Sequence, residues 1–278
     1  MSNELTKKNK NELAAIDFAA DAGAGLGEIA RSEQIIPYIK LLQQMSPECQ
    51  EGGEDAVDGA KPGMLFNTAT RELIPGKEGV VIVPLLRQHV FVERKSLDDG
   101  GGVVARHEPT SDFVRSVRDA NLRSENNYLL TPDGNQLVET FYLTALLLDD
   151  IDATDGEIVC ISFSRTKIAA WKELINPIYR FQRQFPIYAH RIVLRSAAKK
   201  DKKGRPYYNF EPDFAIRAES GKLRDHVAAS VIQSSELYTL AKDSVAFIER
   251  GLSDGTVRHA EEDEVESGGD SRTSDVPF

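Results

Sequence analysis

The sequence has little with which to staple, embed or export a protein. Two cysteines, Cys49 and Cys160, stand in 278 residues; that is no disulfide framework, and without an export signal both read as reduced thiols. No CxxC or HxxxH spacing is present, so no structural zinc site is expected. The longest apolar run, residues 80–86, already contains Pro84, against the roughly 20 apolar residues a membrane helix needs. The opening MSNELTKKNKNELAAIDF has no apolar signal core, which predicts a cytoplasmic chain with no membrane partner.

Recognisable chemistry is equally scarce. The five histidines (His89, His107, His190, His226, His259) are scattered, and neither a GxSxG elbow nor a GxxxxGK[ST] phosphate loop occurs. Gly23, Gly25 and Gly27 form GxGxG, which is not the dinucleotide fingerprint and reads as a flexible joint. The one acid cluster in the body, Asp149, Asp150, Asp152 and Asp155, fails as an EF-hand: Asp155 stands where glycine is required and Ile161 where glutamate is. These absences predict a protein that is not an enzyme and uses no cofactor or metal.

A net charge of −10 argues at first against nucleic acid as a partner. Its distribution argues the other way. Residues 261–278 hold seven acids and one base, a net of −6. Residues 161–210 hold twelve bases against Glu173 and Asp201, a net of +10. The bases are Arg165, Lys167, Lys172, Arg180, Arg183, Arg191, Arg195, Lys199, Lys200, Lys202, Lys203 and Arg205. Nine of the 21 aromatic residues fall in the same window. Cations neutralise phosphates and flat rings stack on unpaired bases, so this interleaving fits a single strand. Trp171, Tyr207, Tyr208 and Phe210 are the candidate stacking rings, while Phe163 and Tyr179 read as core.

Periodicity outlines one large domain. Residues 1–31 read as a mobile arm, 32–255 as the folded body and 256–278 as an acidic, disordered tail. A helix is expected after Pro37, from the spacing of Tyr38, Leu41, Leu42 and Met45. Then come a short hairpin around residues 68–70, a long strand over 79–95 bent at Pro84, and an insertion or mobile loop over 96–127. Thr131-Pro132-Asp133-Gly134 is a turn leading into a strand over 136–148, with another strand over 157–164. A helix from Arg165 to about Phe181 precedes strands 189–197 and 205–216, joined by the lysine-rich turn AKKDKKG. A last helix, capped by Ser234 or Ser235, runs to Gly251. The fold class is mainly β with flanking helices (α+β), as a decorated Greek-key barrel.

Two segments carry a resemblance. Residues 198–214, AKKDKKGRPYYNFEPDF, resemble the Lys-rich, glycine-then-aromatic hairpin of bacteriophage single-stranded DNA-binding proteins built on an oligonucleotide-binding (OB) barrel. The acidic run, the Gly/Ser spacer and Asp275-Val276-Pro277-Phe278 resemble the tail of bacterial single-stranded DNA-binding proteins, which ends in acids followed by Ile-Pro-Phe. Here valine replaces isoleucine and one acid directly precedes it. The resemblance implies an OB-fold-like barrel that coats single-stranded DNA in phage replication, recombination or repair within a bacterial host. It also implies a tail whose tip, Asp275, Val276, Pro277 and Phe278, recruits replication or recombination proteins while its charge competes with DNA. A strand-annealing recombination protein is the alternative within nucleic-acid binding. A magnesium nuclease using Asp149, Asp150 and Asp152 is the alternative outside it.

Overall fold

The computed structural model describes residues 35–96, 101–125, 127–201, 204–254 and 258–259. The expected N-terminal arm, its GxGxG joint, Lys202, Lys203 and the tail tip lie outside the described residues.

The chain enters extended, through β1 (Ile35–Ile36) and β2 (Ile39–Leu41). The helix expected after Pro37 is absent. Ile39, Lys40 and Leu41 instead pair antiparallel with β3 (Leu65–Asn67), which forms the expected hairpin with β4 (Leu73–Ile74). Ile39 and Leu41 are buried, whereas Met45, needed for the helical face, is 64% exposed. A strand partner thus overrides a spacing that fits both periods.

The main sheet is built on two long strands, β5 (Val80–Arg94) and β8 (Gln136–Leu148), paired antiparallel along their length. Both are buried over most of their length, with apolar residues on successive positions, as a sheet covered on both faces requires. Leu85 is an extra residue between the pairs Pro84–Ala145 and Leu86–Thr144. This bulge inverts the faces: Ile82 lies on the side of Leu147 before it, and His89 and Phe91 turn to the side of Phe141 and Glu139 after it.

The stretch over 96–127, expected as an insertion or mobile loop, carries regular elements among its described residues. It contains β6 (Val103–His107), paired with the end of β5, and helix α1 (Asp112–Ala120). The Ser111 hydroxyl accepts from the Val114 amide at 3.3 Å, and Val114 and Val117 pack on Phe91 and Leu137. After β7 (Leu129–Leu130) and the Pro132–Gly134 turn comes β8, then β9 (Glu157–Ser164) along its other edge. Helix α2 (Ile168–Phe181) follows, then the hairpin β10 (Ile192–Lys200) and β11 (Pro206–Phe214). Helix α3 (Leu223–Ala229) escapes a periodicity reading because only His226 and Val227 of its seven residues are buried. Helix α4 (Ser235–Asp254) starts as expected, with the Leu237 amide donating to the Ser234 hydroxyl at 3.2 Å. β12 (Arg258–His259) closes the described chain, parallel to β1.

The strand order is β11-β10-β5-β8-β9, with β6 and β7 on the far ends of β5 and β8. The fold is α+β, dominated by sheet, but among the described residues the sheet does not close into a barrel. β9 and β11 do not pair; the small β2-β3-β4 sheet stands between them. Tyr38 bridges to Cys160, the Cys160 amide donates to the Pro37 carbonyl at 2.7 Å, and Gln43 holds the backbone of Tyr208. Inside this wrap lies the main core, where Trp171, Leu174 and Ile178 of α2 meet Phe141, Ile161, Phe163, Leu194 and Phe210. On the outer face, α4 covers Leu146 and Leu148, while Ile36 and Tyr38 cover Tyr142 and Cys160. Among the described residues, no helix is long and apolar enough to cross a membrane.

Candidate nucleic-acid interface

The β10–β11 hairpin sorts its residues by register. Lys199 stands opposite Tyr207, Arg195 opposite Glu211, and Ala198 opposite Tyr208. Cross-strand partners share a face and neighbours along a strand alternate, so Lys199, Tyr207 and Arg195 lie on one face and Tyr208 and Phe210 on the other. The inner face is committed to the core: Phe210 is 1% exposed and Tyr208 packs beside it. Tyr208 is also gripped through its backbone by Gln43, whose side chain accepts from its amide at 3.1 Å and donates to its carbonyl at 3.0 Å. Tyr207 is half-buried on the outer face.

Not every cation near the hairpin is uncommitted. Arg205 pairs with Asp201 at 2.6 Å and fixes the turn, with the Arg205 amide donating to the same carboxylate at 2.8 Å. Arg195 lies 3.6 Å from Asp213, which also pairs with Arg217. Lys200 is exposed and Lys199 half-buried.

A second group of cations follows α2. Arg165 is held over the Tyr128 ring at 4.5 Å and donates to Gln136 at 3.1 Å. Lys167 lies 5.8 Å from the Phe210 centroid, beside Asn209, whose amide donates to the Thr166 carbonyl at 3.0 Å. Lys172, Arg180 and Arg183 are exposed, and Arg183 lies 5.1 Å from the centroid of Tyr179. Arg191 is different. It is 9% exposed and donates to the Ile151 carbonyl, pinning the acidic turn from within. In that turn Asp150 accepts from the Asp152 amide at 2.7 Å. Among the described residues, no group of three or more His, Cys, Asp or Glu side chains is placed to hold a metal.

Two expected stacking rings are core residues. Trp171 is 3% exposed, stacked on Phe141 at 5.2 Å and tilted against Phe163 at 5.5 Å. Phe210 closes the same cluster against Phe163 at 5.2 Å. Neither ring reaches a ligand from there, so the interface is drawn without Trp171, Phe210 and Arg191. Conversely, Tyr179, expected in the core, is 62% exposed, and Phe185 is 43% exposed. The signal for Tyr179 was available: a helical wheel anchored on Trp171, Leu174 and Ile178 turns position 179 outward.

Two imidazole environments, one half-buried and one fully buried, also escaped a sequence reading. His89 stacks on Phe141 at 4.3 Å and meets Glu139 at 3.0 Å, completing a His89–Phe141–Trp171 column. His190 is fully buried, and burial pushes its pKa below the ordinary histidine value of 6.5. Cys49 and Cys160 form no disulfide, and burial, followed by neighbouring Glu48, raises the pKa of the Cys49 thiol.

A family model described as Pam3 phage gp34-like protein matches residues 6–252. No curated protein and no solved structure matches the chain.

Proposed function

The chain belongs to the Pam3 phage gp34-like family, and from that premise we propose that it is a single-stranded DNA-binding protein. It coats and protects the strand in phage replication, recombination or repair and performs no chemistry on it. The observation that carries this reading is the concentration of charge: a net of +10 within residues 161–210 of a chain whose total is −10. The hairpin displays part of that charge, with Lys199 opposite Tyr207 on its outer face.

Topology supports the same reading. The order β10-β5-β8-β9 places the fourth strand of the series beside the first, the arrangement of a Greek key, with β11 added at the edge. OB folds are partly open five-stranded Greek-key barrels that hold oligonucleotides on the face of strands 2 and 3 and on the loops joining strands 1–2 and 4–5. In that frame the lysine-rich turn of β10–β11 is the 4–5 loop, and the β5–β8 connection bearing β6 and α1 is the 1–2 loop. The strand is held by phosphate neutralisation and counterion release, with stacking added by exposed rings. The interface comprises Lys167, Lys172, Arg180, Arg183, Lys199, Lys200, Lys202, Lys203 and Tyr207, with Arg165, Arg195 and Arg205 positioning it. The acidic tail recruits replication or recombination proteins through Asp275, Val276, Pro277 and Phe278.

A gel-shift series tests the function. Labelled oligo-dT, a duplex of equal length and an RNA oligomer are titrated with the full chain, with and without magnesium. Retardation of the single strand at concentrations at least tenfold below those needed for the duplex is the expected result. Failure to retard any single strand would contradict the reading, and magnesium-dependent degradation would replace it with a nuclease.

A further inference from the structure

We infer that the rings that receive nucleobases on this protein include Tyr179 and Phe185, on the outer end of α2 and the loop after it. This rests on the single-stranded DNA-binding reading and assigns the stacking surface within it. The need for such a surface follows from what is covered. The outer face of β8 and β9 is the position OB folds use for oligonucleotides, and here Tyr142, Thr144 and Cys160 on it are 1%, 1% and 0% exposed. Tyr38 stands edge-on to Tyr142 at 6.4 Å, Ile36 lies in the same cluster, and α4 occupies the neighbouring stretch. Trp171 and Phe210 are inside the core.

At the end of α2 the chemistry changes. Tyr179 and Phe185 are 62% and 43% exposed, although large apolar rings left in water carry a cost unless something covers them. No acid occurs between Glu173 and Asp201, and Arg180 and Arg183 flank the rings. The Arg183 guanidinium lies 5.1 Å from the Tyr179 centroid, so one face of that ring already carries a cation while its exposure leaves room for a base. Lys172 lies seven residues before Tyr179, two helical turns and about 10 Å along the same stripe. Exposed rings among cations, with Glu173 the one carboxylate in residues 172–185, suit a polyanion with flat bases.

Two variants of the full chain test the assignment by anisotropy on labelled oligo-dT: Tyr179→Ala with Phe185→Ala, and Arg180→Gln with Arg183→Gln. Stacking is worth roughly 5- to 150-fold in affinity per ring, so the ring variant should bind at least tenfold more weakly with an unchanged salt slope. The arginine variant should lose about 0.7 from the slope for each phosphate contact removed. All four side chains are exposed, so both variants should unfold at the wild-type temperature. Photo-cross-linking of an iodouracil-substituted oligomer to the wild-type chain is the independent readout, with adducts expected on Tyr179 or Phe185. Wild-type affinity in the ring variant, or adducts confined to the β10–β11 hairpin, would overturn this inference while leaving DNA binding intact. A wild-type chain that binds no oligo-dT would remove the broader reading and this one together.

Discussion

The Tyr208 ring lies against the backbone of Gly63. A Cβ added at Gly63 would stand 2.6 Å from Tyr208 Cδ1, and the glycine holds φ at +90°. The Ser196 hydroxyl donates to the Gly63 carbonyl at 2.5 Å, so the β3 side of the small sheet and the β10–β11 hairpin meet at this residue. Tyr208 therefore holds the hairpin in place, and its neighbour Tyr207 faces the other way.

Adjacent tyrosines should consequently give opposite phenotypes. Tyr208→Ala should cost about 2 kcal/mol of stability through lost packing. Gly63→Ala should cost about 1–3 kcal/mol, from a strained φ and the clash with the ring. Tyr207→Ala should leave stability within about 0.5 kcal/mol of wild type and weaken oligo-dT binding about tenfold, the effect of a lost stacking ring. Urea denaturation and anisotropy on the same three variants separate the roles.

His190 couples stability to pH. Burial lowers its pKa in the folded protein below 6.5, so the unfolded chain takes up the proton first. Its contribution is present above pH 6.5 and is lost as pH falls through that value toward the folded pKa. Stability should decline from pH 7 to pH 5, and His190→Leu, which removes the proton site while keeping an apolar side chain, should flatten that decline. Urea midpoints at four pH values across the interval check this; equal slopes in both proteins would contradict it.

The acidic segment should oppose DNA binding. Deleting residues 261–278 moves the net charge from −10 to −4 and removes an anion joined to the same chain as the cationic stretch, for which effective concentrations reach the millimolar range. Oligo-dT affinity should rise at low salt, and the gain should fade as the Debye length shortens. Deleting Pro277 and Phe278 alone leaves all seven acids in place and should leave DNA affinity unchanged while abolishing recovery of partner proteins.

Most of the fold was legible because its long strands are runs rich in β-branched, leucine and aromatic residues. Residues 80–94, 136–148 and 157–164, the helix through Trp171 and the Ser234 cap all follow from local pattern. What local pattern misjudged depends on distant partners. Residues 39–41 form a strand because β3 supplies an edge, and residues 103–107 form one because β5 extends beyond the bulge at Leu85. The candidate interface was legible as charge but not as rings. Composition placed nine aromatics in one window without saying that Trp171 and Phe210 turn inward and Tyr179 and Phe185 outward. Arg191 illustrates the same limit, since only the fold brings it to the Ile151 carbonyl.

The central claim is that the cationic stretch binds a single strand through its phosphates. Its most direct test is the affinity of the full chain for labelled oligo-dT between about 50 and 200 mM salt, beside Lys199, Lys200, Lys202 and Lys203 changed together to alanine. The wild-type log–log plot should be linear and steep, falling by about 0.7 per phosphate contact, and the quadruple variant should bind more weakly with a slope shallower by up to about 3. A wild-type affinity that does not change with salt, or a quadruple variant whose affinity and slope match the wild type, would contradict it.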